Sequence, residues 1–135
     1  MTVGNEEYGS WEVDNHPLQH DPTTYAAATA GPNGYYALIK AASPNTLVGV
    51  VVNPGNSPAW DPTVLANAPY DFVEYHYYPE SPGGENDTYI VDSAATGLTQ
   101  NINTLKAELA TAGKPNTPIY VGEIGGTSSL SLIHI

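Results

Sequence analysis

Residues 46–53, TLVGVVVN, constrain the fold more than any other stretch, because they are almost continuously Val and Leu. A strand with one wet face alternates apolar and polar residues. This one does not, and so reads as a strand buried on both faces of a sheet. Three more strand signals flank it: TVG at 2–4, YDFVEYHYY at 70–78 and TPIYVGEIG at 117–125. Helical signals fill the gaps. DPTTYAAATA places Asp21 as N-cap and Pro22 in the first helical position, and GPNGYYALIKAAS follows and stops at Pro44. WDPTVLANA at 60–68 opens on another Asp-Pro pair. The longest helical stretch, 92–113, carries Leu98, Ile102, Leu105 and Leu109 at 4-3-4 spacing and ends at Gly113. Strands alternating with helices predict an α/β fold with a parallel sheet. No internal repeat is visible beyond the βα unit. Segments 7–20 and 79–91 are rich in Pro, Gly and Asn, and loops after parallel strands are where α/β folds carry function. The last nine residues, TSSLSLIHI at 127–135, break the pattern and read as a non-native or truncated tail.

Composition removes several classes of function. Fourteen acids against three lysines, with no arginine, give a net charge of −11. Nucleic-acid phosphates call for Lys and Arg, so no nucleic-acid partner is expected, and an anionic membrane surface is equally unsuited. No window of 18 apolar residues predicts a membrane span. With no cysteine, disulfide and thiolate chemistry are absent. Ten Tyr and two Trp against one Phe is a composition that suits sugar-lined clefts, and equally half-exposed packing.

Three strand ends carry the chemistry-bearing residues: Asn5-Glu6, His76-Tyr77-Tyr78 and Gly122-Glu123. Strand periodicity puts Glu74, His76 and Tyr78 on one face. A carboxylate at the end of a buried strand is costly unless it is paired or faces a wet cleft. Two of them, on two parallel strands, suggest an acid/base and a nucleophile facing one substrate.

On these residues the chain resembles strands four to seven of the (β/α)8 barrel of clan A glycoside hydrolases. That clan ends strand four with an Asn-Glu pair that holds its acid/base, strand six often with His-x-Tyr, and strand seven with its nucleophilic Glu. Glu6 and Glu123 lie 117 positions apart, from 6 to 123, across three βα units. A plain barrel averages roughly 31 residues per unit before loop insertions, against about 39 per unit in this chain. VGNEEYGSWE, YYALIKAASP and EYHYYP are most similar to α-L-arabinofuranosidase-type families. The resemblance covers residues 2–126. It implies a partial (β/α)8 barrel over 1–126, with sequential parallel strands, outer helices and two open edges, the remainder of the barrel lying outside this sequence. It implies a retaining glycosidase acting on a carbohydrate substrate, with no cofactor and no metal. Glu6 would be the acid/base, Glu123 the nucleophile, Asn5 a partner of the sugar 2-hydroxyl, Tyr78 a support for Glu123, and His76 part of the site wall. A secreted or periplasmic parent is compatible with it. By itself, such a piece is expected to be insoluble, oligomeric or partly molten, and inactive.

Alternatives stay open at this stage. Glu7 could take the role given to Glu6. Trp11 and Trp60 could stack on sugar rings or serve packing. His16 and His20 have the i,i+4 spacing of a zinc pair, but Pro17 argues against a helix there and no third ligand is evident. NDT at 86–88 matches a glycosylation sequon, which is a short and frequent pattern. A non-catalytic carbohydrate-binding or structural module on the same scaffold would need neither carboxylate.

Overall fold

The computed structural model describes residues 1–126 apart from 56–58, 82 and 85, and only the backbone of Ser93. The tail at 127–135 lies outside the described residues. Among the described residues there are four strands: β1 (Thr2–Val3), β2 (Gly49–Val52), β3 (Phe72–Tyr77) and β4 (Ile119–Ile124). They form one sheet in sequential order, every neighbouring pair parallel. The helices are α1 (Pro22–Thr29), α2 (Tyr35–Ala42), α3 (Trp60–Asn67) and α4 (Asp87–Thr111). Two helices thus separate β1 from β2, and one separates each later pair. The chain is an open sector of a barrel-type α/β sheet.

Local chemistry accounts for most boundaries. Asp21 caps α1 as its side chain accepts from Thr24 N at 2.8 Å, and Pro22 sits where no donor is needed. Two boundaries differ from the sequence expectation. Helix α4 begins at Asp87, not 92, because Asn86 caps it by accepting from Tyr89 N at 3.0 Å. The sequon asparagine is therefore a helix cap. Helix α3 begins at Trp60, so Asp61 is its second residue rather than its cap. Asp61 turns inward and accepts from Asn53 N at 2.8 Å, holding the loop that leaves β2.

The strands alternate between two faces. Val3, Val50, Val52, Val73, Tyr75 and Tyr77 join Val64, Leu65, Leu105 and Leu109 in a single buried core under α3 and α4. Val50, Val52 and Val73 have no exposed surface, and burying each contributes about 1.5–3 kcal/mol. The opposite face carries Thr2, Gly49, Phe72, Glu74 and Tyr120, aligned by register. Phe72 and Tyr120 pack with ring centroids 4.8 Å apart, and Gly49 leaves the space that the Phe72 ring fills.

Asp61 also faces Glu108 of α4 within this core. Asp61 Oδ2 and Glu108 Oε2 are buried without a hydrogen-bond partner, an arrangement that one shared proton satisfies. Burial, then the Glu108 charge, raises the Asp61 pKa to about 8. Unfolded, Asp61 ionises near its ordinary value of 3.8. Between those limits the folded chain holds the extra proton, so stability is full at low pH and is lost as pH rises towards 8. We expect the chain to unfold at a temperature several degrees lower at pH 8 than at pH 5. Asp61→Asn keeps the acceptor for Asn53 N and adds a donor for Glu108, and should flatten that slope because it removes the titrating group. Thermal unfolding of both proteins across this range checks it, and equal slopes would show that the pair does not share a proton.

Candidate active site

The carboxyl ends of β1, β3 and β4 open onto one cleft of about 770 Å³, lined by Asn5, Glu6, Tyr8, Trp11, Asn53, His76, Tyr78 and Glu123 among others. Of the residues singled out from the sequence, Asn5, Glu6, Trp11, His76, Tyr78 and Glu123 line it, and Glu7, His16, His20 and Trp60 do not.

Glu6 follows β1 in a left-handed conformation, φ 48°. A non-glycine residue pays for this strain only where its surroundings over-determine it, and such positions concentrate at functional sites. The turn is closed by Gly9 N donating to Glu6 O at 2.7 Å. The Glu6 carboxylate is held from two sides: Trp11 Nε1 donates to Oε2 at 2.6 Å and His76 Nδ1 lies 3.0 Å from Oε1. Glu7 goes elsewhere. It lines a separate cavity beside β1 and α1, with Val3 and Tyr25, so the geometry distinguishes the two neighbouring acids.

Glu123 reaches the cleft through an irregularity in β4. Tyr75 pairs with Val121 and His76 with Glu123, which leaves Gly122 as an extra, unpaired residue. Without this bulge, alternation would place Glu123 opposite Tyr77, on the helix-covered face. The bulge returns it to the face of Glu74 and His76. A Cβ at position 122 would fall on the Glu74 carboxylate, so any larger residue there would require Glu74 to move. The Tyr78 hydroxyl donates to Glu123 Oε2 at 2.6 Å, and this bond pushes the Tyr78 pKa up to about 12.

His76 is the hub. Its side chain is 4% exposed, against 17% for Glu6 and 47% for Glu123. Nδ1 lies 3.5 Å from Glu123 Oε2, and Nε2 lies 3.2 Å from Glu74 Oε1. The Thr2 hydroxyl donates to the other Glu74 oxygen, tying β1 to β3. One oxygen each of Glu6 and Glu123 approach within 4.8 Å of one another and of His76.

The remaining candidates divide. Asn5 lines the cleft, with its amide donating to Glu12 Oε1 at 3.1 Å. Trp11 is largely exposed and stands over Glu6. Trp60 is 3% exposed and donates to Val51 O at 3.0 Å, which makes it a core residue. His16 and His20 belong to a loop organised by Asp14, which accepts from both backbone N–H groups; those bonds lower the Asp14 pKa to about 2. His20 Nδ1 faces Glu7 O instead of a shared metal position. Tyr8 was not legible as a site residue. It meets Trp11 and Trp60 edge-on, at 6.2 and 5.9 Å, and burial followed by the Glu6 charge raises its pKa. Only its place two residues after Glu6 hinted at this.

Fold and site together describe a sector of a barrel-type α/β protein with two carboxylates on one rim. The chain is similar in structure to α-L-arabinofuranosidases. It superimposes on the Thermotoga maritima enzyme, solved with arabinose, with a TM-score of 0.68 and 24% identity over 91% of this chain and 24% of that one. The family 51 α-L-arabinofuranosidase of Bifidobacterium longum gives a TM-score of 0.68 and 24% identity over 92% of this chain and 26% of that one. A further arabinofuranosidase gives 0.61 and 25%, covering 91% and 24%. The chain therefore spans about a quarter of the length of the structures it matches. No family model and no curated protein sequence matches it. Among the described residues, no helix is long and apolar enough to cross a membrane.

Proposed function

We propose that this chain is the catalytic sector of a retaining glycoside hydrolase acting on α-L-arabinofuranosides. The observation that carries the reading is the approach of the Glu6 and Glu123 carboxyl oxygens within 4.8 Å, on one rim, from strands 117 positions apart in sequence. Retaining glycosidases hold their carboxyl groups about 5–5.5 Å apart, whereas inverting ones leave roughly 6.5–9.5 Å for a water.

In this reading Glu123, the more exposed carboxylate, attacks the anomeric carbon, and the Tyr78 hydroxyl orients it by donating to Oε2. Glu6 protonates the leaving oxygen and then takes a proton from the attacking water. Trp11 and His76 fix the direction of Glu6. The different surroundings of the two carboxylates are what lets one serve as acid and the other as nucleophile. Turnover is expected only when the sheet is closed into a barrel, because a substrate needs walls on every side of the rim.

Replacing the matching stretch of the Thermotoga maritima enzyme with residues 2–126 tests this. The chimera should hydrolyse aryl α-L-arabinofuranosides, and NMR of the first-formed sugar should show the α anomer. A cooperatively folded chimera with no turnover, or one releasing the β anomer first, would reject the proposal.

A further inference from the structure

Three metal-ligating side chains converge in the cleft. His76 Nδ1 lies 3.0 Å from Glu6 Oε1 and 3.5 Å from Glu123 Oε2, and one donor atom from each residue falls within 4.8 Å of the other two. Ligands about 2.0–2.2 Å from a tetrahedral zinc ion lie roughly 3.3–3.6 Å from one another. The Glu123 spacing falls within that edge length and the Glu6 spacing is slightly shorter, so an adjustment of the Glu side chains would close the triangle on an ion.

The surroundings of His76 point the same way. A neutral imidazole has a single N–H. An imidazole that binds an ion through Nδ1 keeps its proton on Nε2, here facing Glu74 Oε1 at 3.2 Å, and presents the Nδ1 lone pair on the side of the two carboxylate oxygens. Nδ1, Glu6 Oε1 and Glu123 Oε2 then face one space; Glu123 Oε2 also accepts from the Tyr78 hydroxyl, and a carboxylate oxygen has lone pairs for both that donor and a cation. Glu74 is itself fixed by the Thr2 hydroxyl. A carboxylate that orients a histidine through its distal N–H is the usual outer support of a metal-bound imidazole. Glu123 is 47% exposed, which leaves water free to fill a fourth position.

We propose that Glu6, His76 and Glu123 form a binding site for a divalent transition-metal ion of the zinc type, with Glu74 orienting His76. One imidazole and two carboxylates suit Zn²⁺, while Mg²⁺ and Ca²⁺ require six or more oxygen ligands. Binding does not depend on the glycosidase reading. Where both hold, the ion occupies both reacting carboxylates and acts as a reversible inhibitor that competes with the sugar.

Equilibrium dialysis of the 135-residue chain against Zn²⁺, with metal analysis of both compartments, tests this whatever the association state. Wild type should take up one zinc per chain, unaffected by a thousandfold excess of Mg²⁺. His76→Ala should weaken uptake at least about 100-fold, and Glu74→Gln, which preserves size but removes the charge and one of the two acceptor oxygens, about 10–100-fold. His16→Ala, in the other histidine-bearing loop, should leave it unchanged. Co²⁺ in place of zinc should give the intense visible bands of four-coordinate cobalt, lost in His76→Ala. Far-UV circular dichroism establishes that each variant retains its α/β content. The proposal fails if folded wild type takes up no zinc, if Mg²⁺ displaces it, if Glu74→Gln and His76→Ala bind as wild type does, or if uptake is lost in His16→Ala.

Discussion

Glu123→Ala in the chimeric barrel should reduce hydrolysis of α-L-arabinofuranosides by roughly 10⁴–10⁶-fold, the scale seen when a covalent nucleophile is deleted. Azide should restore part of the rate by entering the space the carboxylate leaves, and the glycosyl azide should have the opposite anomeric configuration. Glu6→Ala should behave differently. Natural glycosides need protonation of the leaving oxygen, so their kcat/KM should fall about 10²–10⁴-fold. Activated aryl glycosides need little protonation, and their kcat/KM should fall far less. The two substitutions therefore separate the roles by leaving group. The structure also sharpens the comparison with Glu7, which lines the cavity beside β1 and α1 and not the cleft. If Glu7→Ala destroyed turnover while Glu6→Ala spared it, the acid/base assignment would be off by one residue. A folded Glu123→Ala chimera with wild-type rates would remove the nucleophile altogether.

The second large effect concerns the sheet edges. Among the described residues, β1 pairs only with β2 and β4 only with β3, so each presents unpaired backbone groups to solvent. Tyr120 and Ile124 on β4 are 50% and 65% exposed. Unprotected edges bearing apolar side chains recruit other strands. The helix-covered core, by contrast, is well packed, with Val64, Leu65, Leu105 and Leu109 fully buried. We therefore expect the 135-residue chain to fold its helix-covered layer and to associate through its edges. Light scattering after gel filtration should give a mass well above 14.3 kDa at about 100 µM. Ile124→Lys, a charge on the β4 edge, should weaken association at least about tenfold. A single species of 14.3 kDa for wild type would show that the edges are protected in some other way.

The order of strands and helices was legible in the chain because it depends on local pattern. The Val48–Val52 run carries the pattern of a doubly covered strand, and Asp21-Pro22 that of a helix start. The carboxylates of Glu6 and Glu123 were legible as candidates because an acid at the end of a buried strand needs a reason to be there. The start of α4 was less so. A glycine- and proline-rich segment reads as loop, and the Asn86 cap that ends it is a single side-chain hydrogen bond.

What only the tertiary structure decided is how the candidates meet. Alternation along β4 would send Glu123 to the helix side, and the Gly122 bulge that turns it back exists only in the pairing with β3. Glycine there leaves room for the Glu74 side chain of the neighbouring strand, which lies where a Cβ would be. The left-handed turn at Glu6, the Trp11 indole that holds it and the separation of Glu7 into another cavity also arise from contacts across the fold. A sequence records which side chains are available and the period on which they repeat. Register, bulges and side-chain direction follow from pairing energies between segments some 50–120 residues apart, from 6 to 76 and 123, which no local pattern encodes.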